Sequence, residues 1–255
     1  MEEFDSFVFT HIPKCGGSSL RRLISESALS SGILSSQIHI PGEASLGHDK
    51  NLGQLSNDEF VHTCTKKVKI LADHSKYNPQ LYKSLGMNNP FVFTVVRAPF
   101  ERFISHYNFF YKKVGHGKLK GKNIQDISAQ RLEQIVQQQA NVLSAYMLNC
   151  PPGYDQTAML QNRIEELITR VSQQIHVIGT LDDMTSCLDQ LKVHGPSWLQ
   201  WSDVLPQINT NSYNLNFPDI KRVRQLFVRY NQLDIRLYQL MRSIKNLKGQ
   251  AYDQV

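Results

Sequence analysis

The sequence contains no run of about 20 apolar residues, the length that an α-helix needs to cross a lipid bilayer. The first five residues are acidic rather than basic and lead directly into a short apolar run, so they lack the features of a secretory signal. These absences predict a protein without a membrane span. We expect a cytoplasmic location, unless an N-terminal anchor was removed.

The chain also has few cysteines and only a modest net charge. Cys15, Cys64, Cys150 and Cys187 lie far apart and form no C-x-x-C pair, which argues against a zinc cluster or a disulfide framework and fits a reducing compartment. The 28 Lys and Arg residues exceed the 22 Asp and Glu residues by a modest margin. This excess favours an anionic ligand but is much weaker than that of a dedicated nucleic-acid-binding protein, so we expect no nucleic-acid partner.

Four short apolar runs alternate with helical patterns along the chain. They span residues 7–12, 68–72, 91–96 and 175–179. Runs of this length are typical of buried parallel strands, and their alternation with helices predicts an α/β fold with a central parallel sheet flanked by helices. A chain of 255 residues can bury the core of one such domain, so we expect a single domain over residues 1–255.

Apolar stripes at helical spacing mark three further segments, residues 129–147, 160–171 and 221–248. The last contains eight basic residues and one acidic residue, and we interpret it as a long terminal helix packed on the body of the protein. Three segments lack clear periodicity and are predicted to form the loops around a site: residues 31–60, 112–125 and 194–216.

The first motif is His-Ile-Pro-Lys-Cys-Gly-Gly-Ser-Ser-Leu at residues 11–20, where a strand turns into a helix. Gly16 and Gly17 allow main-chain N–H groups to converge on an anion, and Lys14 adds a full positive charge. Ser18 and Ser19 can cap the helix. Read alone, the two glycines could merely turn the chain beside a surface lysine. An ordinary kinase or GTPase is disfavoured, because its G-x-x-x-x-G-K-[ST] loop carries the lysine after the glycines.

The second motif is Arg-Ala-Pro-Phe-Glu-Arg-Phe-Ile-Ser-His-Tyr at residues 97–107, where another strand runs into a helix. Pro99 suits the first turn of that helix, and Arg102, Ser105 and His106 can share one of its faces. Arg97 lies at the carboxyl end of the strand, where open α/β sheets bind ligands. Arg97 and Ser105 could together hold a phosphate, although either arginine could equally be a surface ion-pair partner.

Together the two motifs resemble the nucleotide-dependent sulfotransferases, in particular the branch that includes heparan sulfate 2-O-sulfotransferase and related bacterial carbohydrate sulfotransferases. The family patterns are H-[IV]-P-K-x-G-[GS]-[ST]-[ST] and R-x-P-x-x-R-[FW]-x-S-x-Y, and both stand here in order. Position 15 is Cys where Thr is common, which matters little if the backbone N–H makes the contact. Weaker similarity continues through residues 178–183, 209–211 and 231–238.

The resemblance implies a P-loop-like three-layer fold and a PAPS-dependent sulfotransferase that needs no metal. Residues 14–19, which are Lys14, Cys15, Gly16, Gly17, Ser18 and Ser19, are expected to bind the 5′-phosphosulfate of PAPS. Arg97 and Ser105 are expected to hold its 3′-phosphate. The product would be adenosine 3′,5′-bisphosphate (PAP), and the resemblance favours a carbohydrate hydroxyl as acceptor. Lys14 is expected to stabilise the charge that develops on the leaving oxygen.

A histidine shortly after an intermediate strand serves as the base in many family members. Here residues 68–72 lead into Asp73 and His74, with Asp where Gly is usual, and we assign His74 as the base. His11 and His106 lie in the motifs and are the next candidates; His48 and His62 are weaker ones.

Two other functions remain open from the sequence. A P-loop-type small-molecule kinase would need magnesium ligands and ATP. A non-catalytic protein that binds anionic glycans or nucleic acid through residues 221–248 would leave both motifs unexplained. The oligomeric state cannot be read from the sequence.

Overall fold

A computed structural model describes residues 3–41, 59, 62–63, 67–74, 76–113, 124, 127–202 and 220–252. Within these residues the protein has a five-stranded sheet in the order β2-β3-β1-β4-β5, and every neighbouring pair of strands is parallel. The strands are β1 (Ser6–Thr10), β2 (Ile38–His39), β3 (Ile70–Leu71), β4 (Pro90–Val96) and β5 (Val177–Thr180).

Strand β1 is the central strand of the sheet, and all five of its residues are buried. It pairs with β4 from Ser6 opposite Pro90 to Thr10 opposite Thr94, and on its other side Val8 lies opposite Leu71 of β3. The Thr94 hydroxyl donates to the Thr10 carbonyl at 2.9 Å, which ties the carboxyl ends of β1 and β4 together. The segments that follow β1, β3, β4 and β5 therefore leave the sheet at one edge.

Ten α-helices are present in the described part of the chain. They are α1 (Gly17–Ser30), α2 (Pro79–Ser84), α3 (Pro99–Tyr107), α4 (Ala129–Gln138), α5 (Val142–Met147), α6 (Thr157–Asn162), α7 (Ile164–Thr169), α8 (Met184–His194), α9 (Ile220–Tyr230) and α10 (Gln232–Tyr252). Helix α3 continues as a π-helix, Asn108–Lys113, and α7 continues as a second one, Arg170–Gln174.

The helices cover both faces of the sheet. Leu20, Leu23 and Ile24 of α1 pack with Phe7 and Phe9 of β1, in a cluster that also takes in residues of α8. On the opposite face, residues of α5, α7 and α10 form a second cluster with the ends of β4 and β5. This arrangement confirms the predicted α/β fold with a parallel sheet between helical layers.

All four predicted strands are present, with bounds that differ by at most two residues at either end. Strand β2 was not predicted, and it lies in the segment 31–60 that we expected to be a loop. It is only two residues long, Ile38–His39, so it has too few residues to show an alternating or continuous apolar pattern. Most of segments 112–125 and 194–216 lies outside the described residues.

The expectation of continuous helices over 129–147 and 221–248 is wrong, because each segment is broken at a buried asparagine. Asn141 has a φ of 56°, in the left-handed region, between α4 and α5. Asn231 separates α9 from α10, and its side-chain oxygen accepts a hydrogen bond from the Asn141 backbone N–H at 3.3 Å. The segment 160–171 is likewise divided, at Arg163 between α6 and α7.

A buried carboxylate joins the last helix to the rest of this face. Asp234 of α10 accepts hydrogen bonds from the backbone N–H groups of Leu143 and Ser144 at the start of α5, and from the Ser144 hydroxyl. None of the described helices is both long enough and apolar enough to cross a membrane.

Candidate functional site

The candidate site lies at the carboxyl edge of the sheet, where four segments meet. Residues 11–16 follow β1, residues 72–74 follow β3, residues 97–98 follow β4, and residues 181–183 follow β5. Because these strands are parallel neighbours, both sequence motifs and the predicted base lie at the same edge. Open parallel α/β sheets bind their ligands at this edge.

The loop of the first motif has the backbone conformation of an anion-binding turn. Lys14 has a φ of 71° and Gly16 a φ of 79°, so two left-handed residues alternate with Cys15. Such alternation turns successive N–H groups toward one side of the loop. The left-handed conformation is unusual for a lysine, and residues with such strain are concentrated at functional sites.

Helix α1 begins at Gly17 with Gly16 as its N-cap, and no side chain caps its first turn. The expectation that Ser18 and Ser19 cap this helix is therefore wrong: both residues lie inside the first turn rather than before it. The N–H groups of a first turn have no partner within the helix, and together with the helix dipole they favour an anion.

At both glycines of the loop, a side chain from another part of the site lies where a Cβ atom would be. A Cβ atom on Gly16 would lie 2.6 Å from Leu181 Cδ1, in the segment after β5. A Cβ atom on Gly17 would lie 1.7 Å from His11 Nε2. The simpler interpretation, that these glycines only turn the chain, does not account for two such contacts with separate segments of the site.

Cys15 connects the two motifs. Its side chain is buried among Ile12 and Val96, and its thiol donates a hydrogen bond to the Pro13 carbonyl at 3.9 Å. Burial raises the pKa of the Cys15 thiol to about 11. The side chain at position 15 thus packs in the core, which leaves the backbone of the loop to face a ligand.

Arg97, immediately after β4, is half-buried, whereas Arg102 and Ser105 of α3 are buried. The guanidinium of Arg102 donates to the Gln139 carbonyl at 3.3 Å, and burial lowers its pKa. Arg102 is therefore not the surface ion-pair partner that the sequence left open. Arg97 lies just before α3, and Ser105 lies about two turns further along, near the end of that helix.

His11 and His74 stack on one another, with ring centroids 4.0 Å apart and an angle of 27° between the rings. His11 is 3% exposed and also stacks on Phe9, at 5.3 Å, so Phe9 and His74 together hold its ring. Within the described residues, His11 Nδ1 has no hydrogen-bond partner. His74 lies on the outer side of the pair and is exposed.

The surroundings of this pair favour neutral imidazoles. Desolvation, followed by the charges of Arg21 and Lys14, lowers the pKa of His74 to about 4, although a hydrogen bond to the His11 carbonyl acts in the opposite direction. Desolvation and the charges of His74, Arg21 and Lys14 also hold the pKa of His11 well below its usual value. The His74 residue is exposed as a whole, but its ring packs against the buried His11 ring, which accounts for the desolvation. In its neutral form, one nitrogen of the ring can accept a proton.

Arg21 was not among the predicted site residues. It lies one turn into α1, where its charge acts on both His11 and His74. The sequence could have indicated Arg21 as a site residue, because position 21 follows Gly17 by four residues and so lies on the same side of the helix. Its charge adds to that of Lys14 on this edge of the sheet.

The other histidine candidates are not members of this stacked pair, or they lie outside the described residues. His106, at the last turn of α3, packs on the Phe110 ring at 4.5 Å. His48 and residues 209–211 lie outside the described residues. In the part of the chain that the structure describes, no cluster of three or more His, Cys, Asp or Glu side chains could hold a metal ion.

The fold and this loop define a parallel α/β protein of P-loop-like architecture, with a loop after β1 whose backbone conformation favours an anion. A family model described as "Sulfotransferase family" matches residues 1–185, which contain both motifs and all five strands. The chain belongs to the sulfotransferase family and is therefore a sulfotransferase, an enzyme that transfers a sulfuryl group to an acceptor hydroxyl. No curated protein matches the chain.

Proposed function

We propose that the protein transfers a sulfuryl group from PAPS to a carbohydrate hydroxyl, with His74 as the general base. The observation that carries this proposal is the uncapped first turn of α1, which lies beside a neutral, stacked histidine pair and the charges of Lys14 and Arg21. The site thus combines donors for an anion with a group that can accept a proton.

In this proposal the loop from Lys14 to Ser19 binds the 5′-phosphosulfate. Its backbone conformation and the start of α1, where no side chain caps the helix, support that assignment, since both favour an anion at this position. Arg97 and Ser105 would hold the 3′-phosphate. The pairing of β1 with β4 and the packing of Cys15 with Val96 support a single nucleotide site, because they place the two motifs side by side.

His74 would accept the proton of the acceptor hydroxyl as its oxygen attacks the sulfur. Lys14 and the backbone N–H groups of the loop would stabilise the charge on the oxygen that leaves, by the same electrostatic logic as in phosphoryl transfer. His11 would keep the His74 ring in place through the stack. PAPS supplies the sulfuryl group, and PAP would be the nucleotide product.

The carbohydrate acceptor rests on the resemblance of both motifs to the heparan sulfate 2-O-sulfotransferase branch. The test is incubation of the protein with ³⁵S-labelled PAPS and separate carbohydrate, phenol and simple alcohol acceptors, with products identified by mass spectrometry. Calorimetry should show binding of PAP and no binding of magnesium-ATP. Binding of magnesium-ATP without binding of PAP would instead favour a small-molecule kinase.

The Lys14→Ala variant tests the assignment of the loop. We expect turnover to fall by about 10²- to 10³-fold, as for loss of one transition-state donor, while PAP affinity changes less because the backbone donors remain. Arg22→Ala is the matched control, because Arg22 is an exposed cation of α1 that pairs with Glu26. Unchanged turnover in Lys14→Ala would contradict the assignment.

A further inference from the structure

Phe109 contacts the lysine of the first motif. The Lys14 Nζ lies 3.9 Å from the centroid of the Phe109 ring, so the ammonium group sits on the face of an aromatic side chain. Phe109 is half-buried and belongs to the π-helix Asn108–Lys113, directly after the helix of the second motif. The contact thus links Lys14 of the first motif to the segment that directly follows the second motif.

The Phe109 ring is itself held by its neighbours. It packs edge-to-face on Phe110, with centroids 5.0 Å apart and an angle of 83° between the rings, and Phe110 packs in turn on His106. The π-helical turn places consecutive residues differently from an α-helix, and π-helical turns occur frequently at functional sites. Phe109 therefore presents a fixed surface to the Lys14 ammonium.

The chemistry of this contact differs from that of an ion pair. A lysine side chain has four flexible carbon–carbon bonds and needs a partner to hold its ammonium in one place. A carboxylate would do so but would compete with an anionic ligand for the charge. An aromatic face attracts the cation without neutralising it, and it occupies only one side of the ammonium.

From these contacts we propose that Phe109 is a positioning residue for Lys14. It holds the ammonium, fully charged, where that group acts on the leaving oxygen. This inference rests on the proposed function, since it concerns the same site. Its expected effect follows from the strength of a cation–π contact, which corresponds to about a 3- to 30-fold change in rate between exposed and desolvated cases.

The kinetic test compares Phe109→Leu with Phe4→Leu, because Phe4 is also half-buried but packs on Phe91 at the opposite end of the strands from Lys14. We expect Phe109→Leu to lower turnover by about 3- to 30-fold with little change in PAP affinity, and Phe109→Tyr to restore it. In a Lys14→Met background, Phe109→Leu should have no further effect on turnover. An equal loss in the wild-type and Lys14→Met backgrounds would overturn the inference.

A second readout needs no turnover. Brief treatment with acetic anhydride, followed by peptide mass spectrometry, gives the acylation rate of Lys14 relative to exposed lysines of the same molecule. We expect Phe109→Leu to raise this relative rate, because the ring stabilises the unreactive ammonium and covers one side of it. The control Phe4→Leu should leave the rate unchanged. Equal rates in wild type and Phe109→Leu would refute the contact. Absence of sulfuryl transfer from PAPS by the wild type would instead refute the proposed function.

Discussion

Gly17→Ala should destabilise this protein, although glycine-to-alanine changes in helices usually stabilise. Gly17 is the first residue of α1 and does not have a positive φ, so alanine fits its backbone. The obstacle is the neighbouring ring: a Cβ atom there would lie 1.7 Å from Nε2, 2.1 Å from Cδ2 and 2.3 Å from Cε1 of His11. Since optimal contacts between heavy atoms lie near 3.5–4.0 Å, the ring would have to move by roughly 1.5 Å or more.

The magnitude follows from what surrounds that ring. His11 is 3% exposed and lies between Phe9 and His74, so it cannot move without separating one of the two stacks. Overpacking of this kind costs about 1–3 kcal/mol, and the better helix propensity of alanine offsets up to about 1 kcal/mol of that. We expect a net loss of about 1–2 kcal/mol, which corresponds to a decrease in Tm of roughly 2–8 °C for a chain of this size.

Urea denaturation of a double-mutant cycle gives the test. In a His11→Ala background the obstacle is gone, so Gly17→Ala should there raise the free energy of unfolding by up to about 1 kcal/mol. The sign of the Gly17→Ala effect should thus reverse between the two backgrounds. If Gly17→Ala stabilises the protein in both backgrounds, the ring does not occupy the space beside α1.

Arg97→Ala should remove the preference for nucleotides with a 3′-phosphate, so that PAP and its analogue without that phosphate bind equally in calorimetry; a retained preference would place the phosphate elsewhere. His74→Ala should lower transfer by about 10²- to 10⁴-fold with PAP binding nearly intact, and wild-type transfer by a folded His74→Ala protein would move the same test to His11 and then His106. Because the pKa of His74 is about 4 and its neutral form is the base, kcat/KM should fall as the pH drops through about 4 rather than near 6.5. The unfolded chain binds a proton at this residue more readily than the folded protein, so His74 should also contribute a loss of stability as the pH falls from about 6.5 to about 4.

The parts of the fold that follow from local pattern were predictable. Strand β4 is a run of apolar residues long enough to identify, and Pro99 marks the helix that follows it. The loop at residues 11–16 was predictable for the same reason, because the two glycines end one apolar run just before another helical stripe begins.

Features that depend on distant partners were not predictable. The helix breaks at Asn141 and Asn231 involve a hydrogen bond between residues 90 positions apart, and neither segment's own periodicity shows it. Likewise, nothing near His11 indicates that its ring lies against both His74 and Gly17. The sequence identified most residues of the candidate site, but not the contacts that fix their positions.

The burial of Cys15 has a consequence for the chemical durability of the enzyme. A cysteine next to a cationic loop and a helix N-terminus would ordinarily become a reactive thiolate. Here the thiol faces the core and its pKa is about 11, so only about one molecule in 10⁴ would carry the thiolate at pH 7. Peroxide and alkylating reagents act on the thiolate, and they would find almost none at this position. A cysteine at this position of the loop can thus resist oxidation as long as its side chain stays in the core.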